Sequence, residues 1–211
     1  MSQTQQRYLS AGSGVVVKNP YDSPWRWQLK DLVMLVVLGV VFGFIYWALV
    51  QAWNGLAVLM GPAGDLAQHV LQGGWLLVAP LAVAITRKAG SGVLAEILAA
   101  TVEFVFLGSP VGPVLLVSAL LQGLGSELPF ALGRYRRFGI SRYAVSGFCG
   151  AFFVFWFSTL RFGWWGQEIF GIRLGIHSLS GIILGGLLAW VLVRAVKATG
   201  VVDNYAIGRA R

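Results

Sequence analysis

Long apolar runs alternate along this chain with short polar or glycine-rich breaks. A helix of about 20 residues spans the ~30 Å hydrocarbon core of a bilayer, and the runs are of about that length. The pattern therefore predicts an all-α polytopic membrane protein with six transmembrane helices. Their approximate bounds are Asp31–Trp53, Ala67–Thr86, Ser91–Leu107, Val111–Gly133, Tyr143–Phe162 and Leu174–Ala198.

The basic residues divide unequally between the predicted loops. Of 16 Lys and Arg, only Arg161 and Arg173 fall in the fifth loop and none in the first or third. Cytoplasmic loops carry the excess of Lys and Arg, so both termini are predicted to be cytoplasmic. The chain then divides into a cytoplasmic N-terminal segment (1–26), a six-helix transmembrane domain (27–198) and a cytoplasmic C-terminal tail (199–211).

Composition supports a membrane protein. Hydrophobic residues make up 57% of the chain, charged residues 11%, and the mean hydropathy is +0.73. A net charge of +8 could suggest nucleic acid, but the charges form short clusters between apolar runs, as orientation signals do. The single cysteine, Cys149, cannot form an intramolecular disulfide. The polar N-terminus shows no apolar region with a small-residue cleavage site, so no signal peptide is expected.

Motifs of common enzyme classes do not occur in the sequence. There is no G-x-x-x-x-G-K-[ST], no H-E-x-x-H and no G-x-S-x-G. The two histidines, His69 and His177, are far apart and have no acidic companion at metal-ligand spacing. We therefore expect neither an enzyme nor a metal or cofactor site.

Two carboxylates interrupt the third apolar run. Glu96 and Glu103 are seven residues apart, which places them on one stripe of a helix. A charged side chain at mid-bilayer costs about 2.5–3.5 kcal/mol on insertion scales and usually faces a protein interior. Counted from the helix ends, Glu103 lies within reach of the outside, whereas Glu96 lies nearer the cytoplasm and is interpreted, with Glu127, as a buried structural or coupling carboxylate.

Polar and aromatic residues gather at the predicted external helix ends. In the fourth helix Ser118, Gln122 and Ser126 form one polar stripe. A carboxylate within an aromatic enclosure suits a planar organic cation, because ring faces add cation–π attraction. The candidate binding residues, chosen by depth and chemistry, are Glu103, Gln122, Trp75, Trp156, His69 and Asn54. For any single Trp an interfacial belt is the simpler explanation, and for the two His an interfacial hydrogen bond.

Small residues recur at helical spacing in two helices. Gly39 and Gly43 in the first helix, and Gly181 and Gly185 in the sixth, have G-x-x-x-G spacing, which allows another helix to approach closely. Internal packing is the favoured explanation for the sixth helix. For the first, an external docking surface for another membrane subunit is a second possibility.

Several short runs resemble the substrate-binding (S) components of energy-coupling-factor (ECF) transporters. The run Lys30-Asp31-Leu32-Val33, followed by Gly39, Gly43 and Tyr46, is similar to the first helix of that family. Further runs resemble the YkoE-type component, and the likeness extends over roughly 27–190. They are Gly61-Pro62-x-Gly64, Arg87-Lys88-x-Gly90, Ala95-Glu96, Val102-Glu103, Leu107-Gly108-x-Pro110 and Gln122-Gly123-Leu124-Gly125-x-Glu127.

The resemblance implies a function and a set of partners. YkoE-type components are associated with uptake of thiamine or its hydroxymethylpyrimidine precursor. Such a protein captures the vitamin outside a bacterial cell membrane and docks on a transmembrane coupling subunit driven by two ATPases. In the family a small-residue face of the first helix makes that contact, which implies docking through Gly39 and Gly43.

With that substrate, each candidate residue takes a role. Glu103 would pair with the cation or the aminopyrimidine, and Gln122 with a ring nitrogen. Trp75 and Trp156 would stack on rings, while His69 and Asn54 would contribute from the rim. Two other classes remain open: a proton-coupled secondary transporter using Glu96 and Glu103, and a structural membrane subunit that binds no small molecule.

Overall fold

The computed structural model describes residues 23–209. Residues 1–22, most of the predicted N-terminal segment, and 210–211 lie outside the described residues. Within the described range all regular secondary structure is helical. In chain order the α-helices are α1 (Leu29–Met60), α2 (Gly64–Gln68), α3 (Val78–Thr86), α4 (Ser91–Thr101), α5 (Val114–Leu132), α6 (Ile140–Phe162), α7 (Phe170–Ser180), α8 (Ala189–Ala198) and α9 (Ala206–Arg209).

Other helical forms join several of these elements into longer rods. Gly61–Ala63 and His69–Leu76 are 3₁₀-helical, while Val102–Phe106 and Gly181–Leu188 are π-helical. In the described part of the chain, five rods are long and apolar enough to cross a membrane. They are Leu29–Met60, Gly64–Thr86, Val114–Leu132, Ile140–Phe162 and Phe170–Ala198. The all-helical prediction is confirmed, and five of the six predicted spans have a counterpart of sufficient length.

The rod formed by α4 and its π-helical extension is the short one. It comprises 11 α-helical and five π-helical residues. At a rise of 1.5 Å per residue it is about 24 Å long, shorter than the ~30 Å hydrocarbon core. The sequence predicts this helix as the shortest, from Ser91 to Leu107, close to its observed bounds.

The predicted first loop, 54–66, is mostly helical. Gly55 does not end α1, which continues for another turn and a half to Met60. A glycine inside a helix costs only about 1 kcal/mol, and the apolar residues that follow it continue the helix. The second predicted helix also differs, because its first half is 3₁₀-helical and regular α-helix begins only at Val78. Pro80 lies in the first turn of α3, where its missing N–H is tolerated.

The rod Gly64–Thr86 lies at the centre of the bundle. In its most apolar stretch 83% of positions are buried, against 33% for Leu29–Met60 and for Phe170–Ala198. The residues of α3 are all buried. By contrast α1 exposes a row of apolar side chains, among them Val33, Val37, Val40 and Phe44. The outer rods thus present the apolar surface that lipid requires, and the central rod forms the core.

Glu127 of α5 caps the start of α4. Its Oε1 accepts from the backbone N–H of Gly90 (2.5 Å) and its Oε2 from those of Gly92 (2.9 Å) and Val93 (3.1 Å). The Tyr135 hydroxyl also donates to Oε1 (2.8 Å), and burial raises the pKa of Tyr135 above its ordinary value, so the phenol keeps its proton. Free N–H groups at a helix start need acceptors, and here a neighbouring helix supplies them.

Glu96 joins three elements in the core. Its Oε2 accepts from the Tyr46 hydroxyl of α1 (3.1 Å) and its Oε1 from the backbone N–H of Ala79 (3.2 Å). The same Tyr46 oxygen accepts from the N–H of Val78 (3.3 Å). These N–H groups lie where the 3₁₀ segment changes to α-helix, a junction that leaves donors without intrahelical partners. Both Glu96 and Glu127 therefore join neighbouring helices through buried hydrogen bonds; their structural or coupling role stays a prediction.

Gly39 and Gly43 contact α4 and its extension inside the bundle. A Cβ added at Gly39 would lie 2.6 Å from the Cβ of Leu98, and one at Gly43 would lie 2.6 Å from the Cβ of Val102. Both glycines are buried. The expected open docking face is thus covered by the chain itself, because the absence of side chains lets two helices approach closely. Gly181 likewise approaches Gly147 of α6, the internal packing favoured for that helix.

The C-terminal segment folds back onto the bundle. Val202 and Ile207 are buried in the main core cluster, and the Lys30 ammonium donates to the carbonyl of Asn204 (2.7 Å). The Tyr205 hydroxyl donates to the carbonyl of Lys30 (3.3 Å). Much of the predicted tail is thereby part of the folded domain.

Removal of the Glu127 cap should destabilise the protein. Glu127→Ala leaves three buried or part-buried N–H groups without their acceptor, and a hydrogen bond to a charged group contributes about 1.5–3 kcal/mol. We expect the free energy of unfolding in detergent to fall by about 3 kcal/mol, and by less in Glu127→Gln, which keeps one oxygen. Glu168→Gln, at an exposed carboxylate, is the matched control. Equal stability of Glu127→Ala and the wild type would refute the capping role.

Substitution of the helix-contact glycines should also destabilise the bundle. Gly39→Ala and Gly43→Ala would each place a methyl group within 2.6 Å of α4, and overpacking costs about 1–3 kcal/mol. Gly55→Ala in the same helix has open space and should be neutral or stabilising. Thermal unfolding of the three purified variants measures the difference. If Gly39→Ala and Gly43→Ala unfold at the wild-type temperature, the contact with α4 is not the one described.

Candidate functional site

A cavity of about 380 Å³ opens at one end of the bundle. It is lined by the C-terminal parts of α1 and α6, by the π-helical extension of α4, and by residues in the first halves of the rods Gly64–Thr86, α5 and Phe170–Ala198. Consecutive rods therefore alternate in direction. This is the end at which the loop charges predict the outside. Small-molecule sites have volumes of about 300–1,000 Å³, so the cavity suits a small ligand.

Aromatic rings form one wall of the cavity. Trp53 and Trp75 meet edge to face, with ring centroids 5.8 Å apart and an interplanar angle of 78°. His69 contacts Trp53 at 5.8 Å and Trp164 at 5.0 Å, both again edge to face. Such perpendicular contacts build a corner whose ring faces can receive a flat ligand.

Glu103 brings a carboxylate to the cavity. It lies in the π-helical segment Val102–Phe106, and π-helical turns occur frequently at functional sites. Its side chain is fully buried, and its Oε1 accepts from the Ser109 hydroxyl at 2.8 Å. Its Oε2 makes no hydrogen bond of ordinary geometry with the described residues. A buried carboxylate oxygen without a donor is costly, so this atom is available to a ligand.

His69 and His177 contact each other at the cavity wall. Their Nδ1 atoms are 3.1 Å apart, and both residues are 1% exposed. When both rings are neutral, a hydrogen bond between them requires one Nδ1–H donor and one unprotonated Nδ1 acceptor. The two histidines must then hold opposite tautomers, with one Nε2 a donor and the other an acceptor. Neither Nε2 makes a hydrogen bond of ordinary geometry with the described residues, although the backbone of Ala151 approaches the His177 ring.

The polar stripe of α5 is divided by the structure. Ser118 and Gln122 line the cavity, and Gln122 is only 5% exposed. Ser126 lies outside the lining and packs against α6, where its carbonyl accepts from the Ser146 hydroxyl (2.6 Å). The stripe therefore delivers one amide and one hydroxyl to the site.

Five of the six candidate binding residues are brought together. Glu103, Gln122, Trp75, His69 and Asn54 all line the cavity. Trp156 is not part of its lining. Its ring packs against Phe155 (6.1 Å) and Trp165 (5.6 Å) in a neighbouring aromatic cluster, while the next residue, Phe157, faces the cavity.

Some lining residues were not chosen as binding residues from the sequence. They are Trp53, Gln72, Ser158, Arg161, Trp164 and His177. Within the described residues no group of three or more His, Cys, Asp or Glu side chains is placed to hold a metal ion.

An ion pair between a buried guanidinium and a half-exposed carboxylate lies behind the cavity wall. Arg173 of α7 pairs with Asp65 of α2, donates to the Gln167 Oε1 (2.6 Å), and places its guanidinium 4.5 Å from the ring centroid of Trp164. The sequence offered one signal for this arrangement. Asp65 and His69 are four residues apart, as are Arg173 and His177, so each pair occupies one helix face.

Comparison with known proteins identifies the family. The sequence profile of the family described as "ABC-type cobalt transport system, permease component" matches residues 30–153. YkoE, the proposed HMP/thiamine permease protein of Bacillus subtilis (strain 168), is 30% identical over 185 residues, which cover 87% of this chain and 91% of that protein. A crystal structure of an S component of an ECF transporter superposes with a TM-score of 0.81 at 30% identity, covering 87% of this chain and 92% of the other.

These likenesses extend over most of the chain and agree with the resemblance found in the sequence. The relatives are transport proteins and not enzymes. The chain belongs to the YkoE-like substrate-binding S components of ECF transporters.

Proposed function

We propose that this chain binds thiamine or its hydroxymethylpyrimidine precursor outside a bacterial plasma membrane and delivers it through an ATP-driven ECF complex. Family membership supports a small-molecule substrate and ECF partners. The substrate is proposed from the relative named as an HMP/thiamine permease and from the chemistry of the cavity.

The observation that carries the proposal is the set of unpaired polar atoms around the cavity. Glu103 Oε2, His69 Nε2 and His177 Nε2 are buried and make no hydrogen bond of ordinary geometry with the described residues, and all three residues line the cavity. The Trp75 side chain approaches the Glu103 carboxylate, and the Ala151 backbone approaches His177. Most buried polar atoms in proteins have a hydrogen-bond partner. A ligand that carries both donors and acceptors would supply the missing ones, as an aminopyrimidine with its amine and ring nitrogens does.

The aromatic corner supports a flat, positively charged ligand. Trp53 and Trp75 stand at 78° to each other, and Glu103 lines the same cavity. A cation near a Trp face gains about 0.5–2 kcal/mol, depending on how far it is desolvated, and a carboxylate adds direct charge pairing. The thiazolium ring of thiamine is such a cation, and Gln122 would hydrogen-bond a ring nitrogen. Asn54 and His69 would act from the rim.

The topology belongs to the same proposal. We propose that α4 with its π-helical extension completes a six-span bundle in a locally thinned bilayer, with both termini in the cytoplasm. The loop charges support this orientation, since among the Lys and Arg of residues 23–209 only Arg161 and Arg173 lie at the cavity end. The cavity then opens outward, where a vitamin arrives.

Partners follow from the family. We propose a coupling transmembrane subunit and two ATPases as partners. With Gly39 and Gly43 covered internally, the exposed apolar row of α1 is the part of that helix open to lipid or to another subunit.

A proton relay through Glu96 finds less support. Glu96 is not among the residues that line the cavity, and each of its oxygens already has a donor, from Tyr46 and from Ala79. These contacts are those of a structural carboxylate. The binding cavity in turn argues against a subunit that binds no small molecule.

Replacement of Glu103 should weaken ligand binding. Loss of a charge-assisted hydrogen bond costs about 1.5–3 kcal/mol, so Glu103→Gln should raise the dissociation constant for thiamine at least about tenfold. Quenching of tryptophan fluorescence in the purified protein measures it, with Glu168→Gln as the control for an exposed carboxylate.

Comparison of two ligands assigns the partner of Glu103. If it pairs with the thiazolium charge, the loss is larger for thiamine than for uncharged hydroxymethylpyrimidine. If it pairs with the shared aminopyrimidine, the two losses are equal. Unchanged affinity for both ligands would remove Glu103 from the site, and absence of binding by the wild type would overturn the proposed substrate.

A further inference from the structure

Two segments of the bundle contact each other through a regular series of polar pairs. One runs from α2 through the 3₁₀ segment to Leu76, and the other is α7. Asp65 pairs with Arg173, His69 with His177, and the Ser180 hydroxyl accepts from the N–H of Gly73 (2.9 Å). The first two pairs have the same separation of 108 residues. We call this series the polar ladder.

Arg173 occupies the end of the polar ladder where the cavity opens. It is 3% exposed, and its guanidinium contacts three partners: the Asp65 carboxylate, the Gln167 amide oxygen and the face of Trp164. Arg173 itself is not among the cavity-lining residues, whereas Trp164, His69 and His177 are. It can therefore act on a bound ligand only through its neighbours.

The Trp164 ring depends on side-chain contacts for its orientation. Trp164 lies in the connection between α6 and α7, where Gly163 and Gly166 have positive φ. Its backbone N–H donates to the Thr159 carbonyl (3.1 Å) and its carbonyl accepts from the Gln167 N–H (3.3 Å), so side-chain contacts are left to set the orientation of the ring. The ring stacks on Phe162 (centroids 5.6 Å apart, 23° between planes) and contacts His69 at 5.0 Å. The Arg173 guanidinium contacts the same ring as a cation and links it to α7 and, through the ion pair with Asp65, to α2.

We propose that Arg173 is a positioning residue of the binding site, which holds Trp164 against His69 and so fixes the wall that a ligand meets. This inference rests on the proposed function only where it is tested by ligand affinity; the ¹⁹F measurement below needs no ligand. The planar guanidinium can pair with a carboxylate and an amide in its own plane while it stacks on an indole face. A lysine ammonium is a point charge and cannot meet all three partners in that geometry.

The ion pair and the Trp164 contact can be separated by substitution. Arg173→Lys keeps the charge beside Asp65 but loses the planar stack. The exchange Asp65→Arg with Arg173→Asp restores an ion pair and leaves no guanidinium at position 173. If Arg173 mattered only for stability, both changes would preserve binding.

The first measurement compares, for each variant, the dissociation constant for the ligand with the unfolding temperature. In Arg173→Lys, and in the exchange if it folds, we expect the dissociation constant for thiamine to rise about tenfold, as a lost cation–π contact and a freed ring would give. The unfolding temperature of Arg173→Lys should stay close to that of the wild type. The control is Arg194→Gln, which removes a similar guanidinium contact, 4.7 Å from the Trp190 ring, at a residue outside the cavity lining. Wild-type affinity in Arg173→Lys would overturn the proposal.

The second measurement needs no ligand. In protein labelled with 5-fluorotryptophan, the ¹⁹F resonance of Trp164 is assigned from its loss in Trp164→Phe. We expect this resonance to shift or broaden in Arg173→Lys and to stay unchanged in Arg194→Gln. If wild-type protein binds neither vitamin, the proposed function fails and the ¹⁹F result still decides the positioning role. An unchanged Trp164 resonance in Arg173→Lys would refute it.

Discussion

The structure depends on the need to pair most of the polar groups that it buries in an apolar environment. A chain that is 57% hydrophobic still buries four carboxylates among its described residues, Asp31, Glu96, Glu103 and Glu127, each at most 5% exposed. Glu127 accepts from four donors and Glu96 from two, and in both cases backbone N–H groups at a helix start are among them. These two carboxylates hold helices together. Glu103 accepts a hydrogen bond of ordinary geometry on one oxygen only, from the Ser109 hydroxyl, and its carboxylate lines the cavity.

The irregular helical turns place the site residues. The 3₁₀ segment starts at His69, and the π-helical segment Val102–Phe106 includes Glu103. These departures from the α-helix occur at the cavity end of the bundle, while the opposite ends of the same rods are regular α-helix. Close helix contacts at Gly39 and Gly43 keep α4 against α1, so Glu103 and Trp53 reach the same cavity from different rods. The site is thus a consequence of how the helix ends are packed.

Much of this could be predicted from the sequence, because lipid imposes simple rules. The lengths of the apolar runs predicted most ends of the rods to within a few residues. Depth along each run predicted a site formed by residues that do line one cavity, namely Glu103, Gln122, Trp75, His69 and Asn54. The rotation of each helix about its own axis was harder to predict. Successive side chains on a helix point about 100° apart, so Phe157 lines the cavity while its neighbour Trp156 does not. The pairs of the polar ladder join residues 108 apart, a distance at which a single sequence gives no direct signal. The 3₁₀ segment was also missed, since apolar length does not distinguish it from α-helix.

The central claim is that the unpaired Glu103 oxygen belongs to a ligand site. An experimental structure of the protein with thiamine bound tests it most directly. We predict a ligand ring against Trp53 or Trp75, with a donor or positively charged group within about 3.2 Å of Glu103 Oε2. A ligand bound elsewhere, or bound in the cavity with that oxygen still unpaired, would contradict the account.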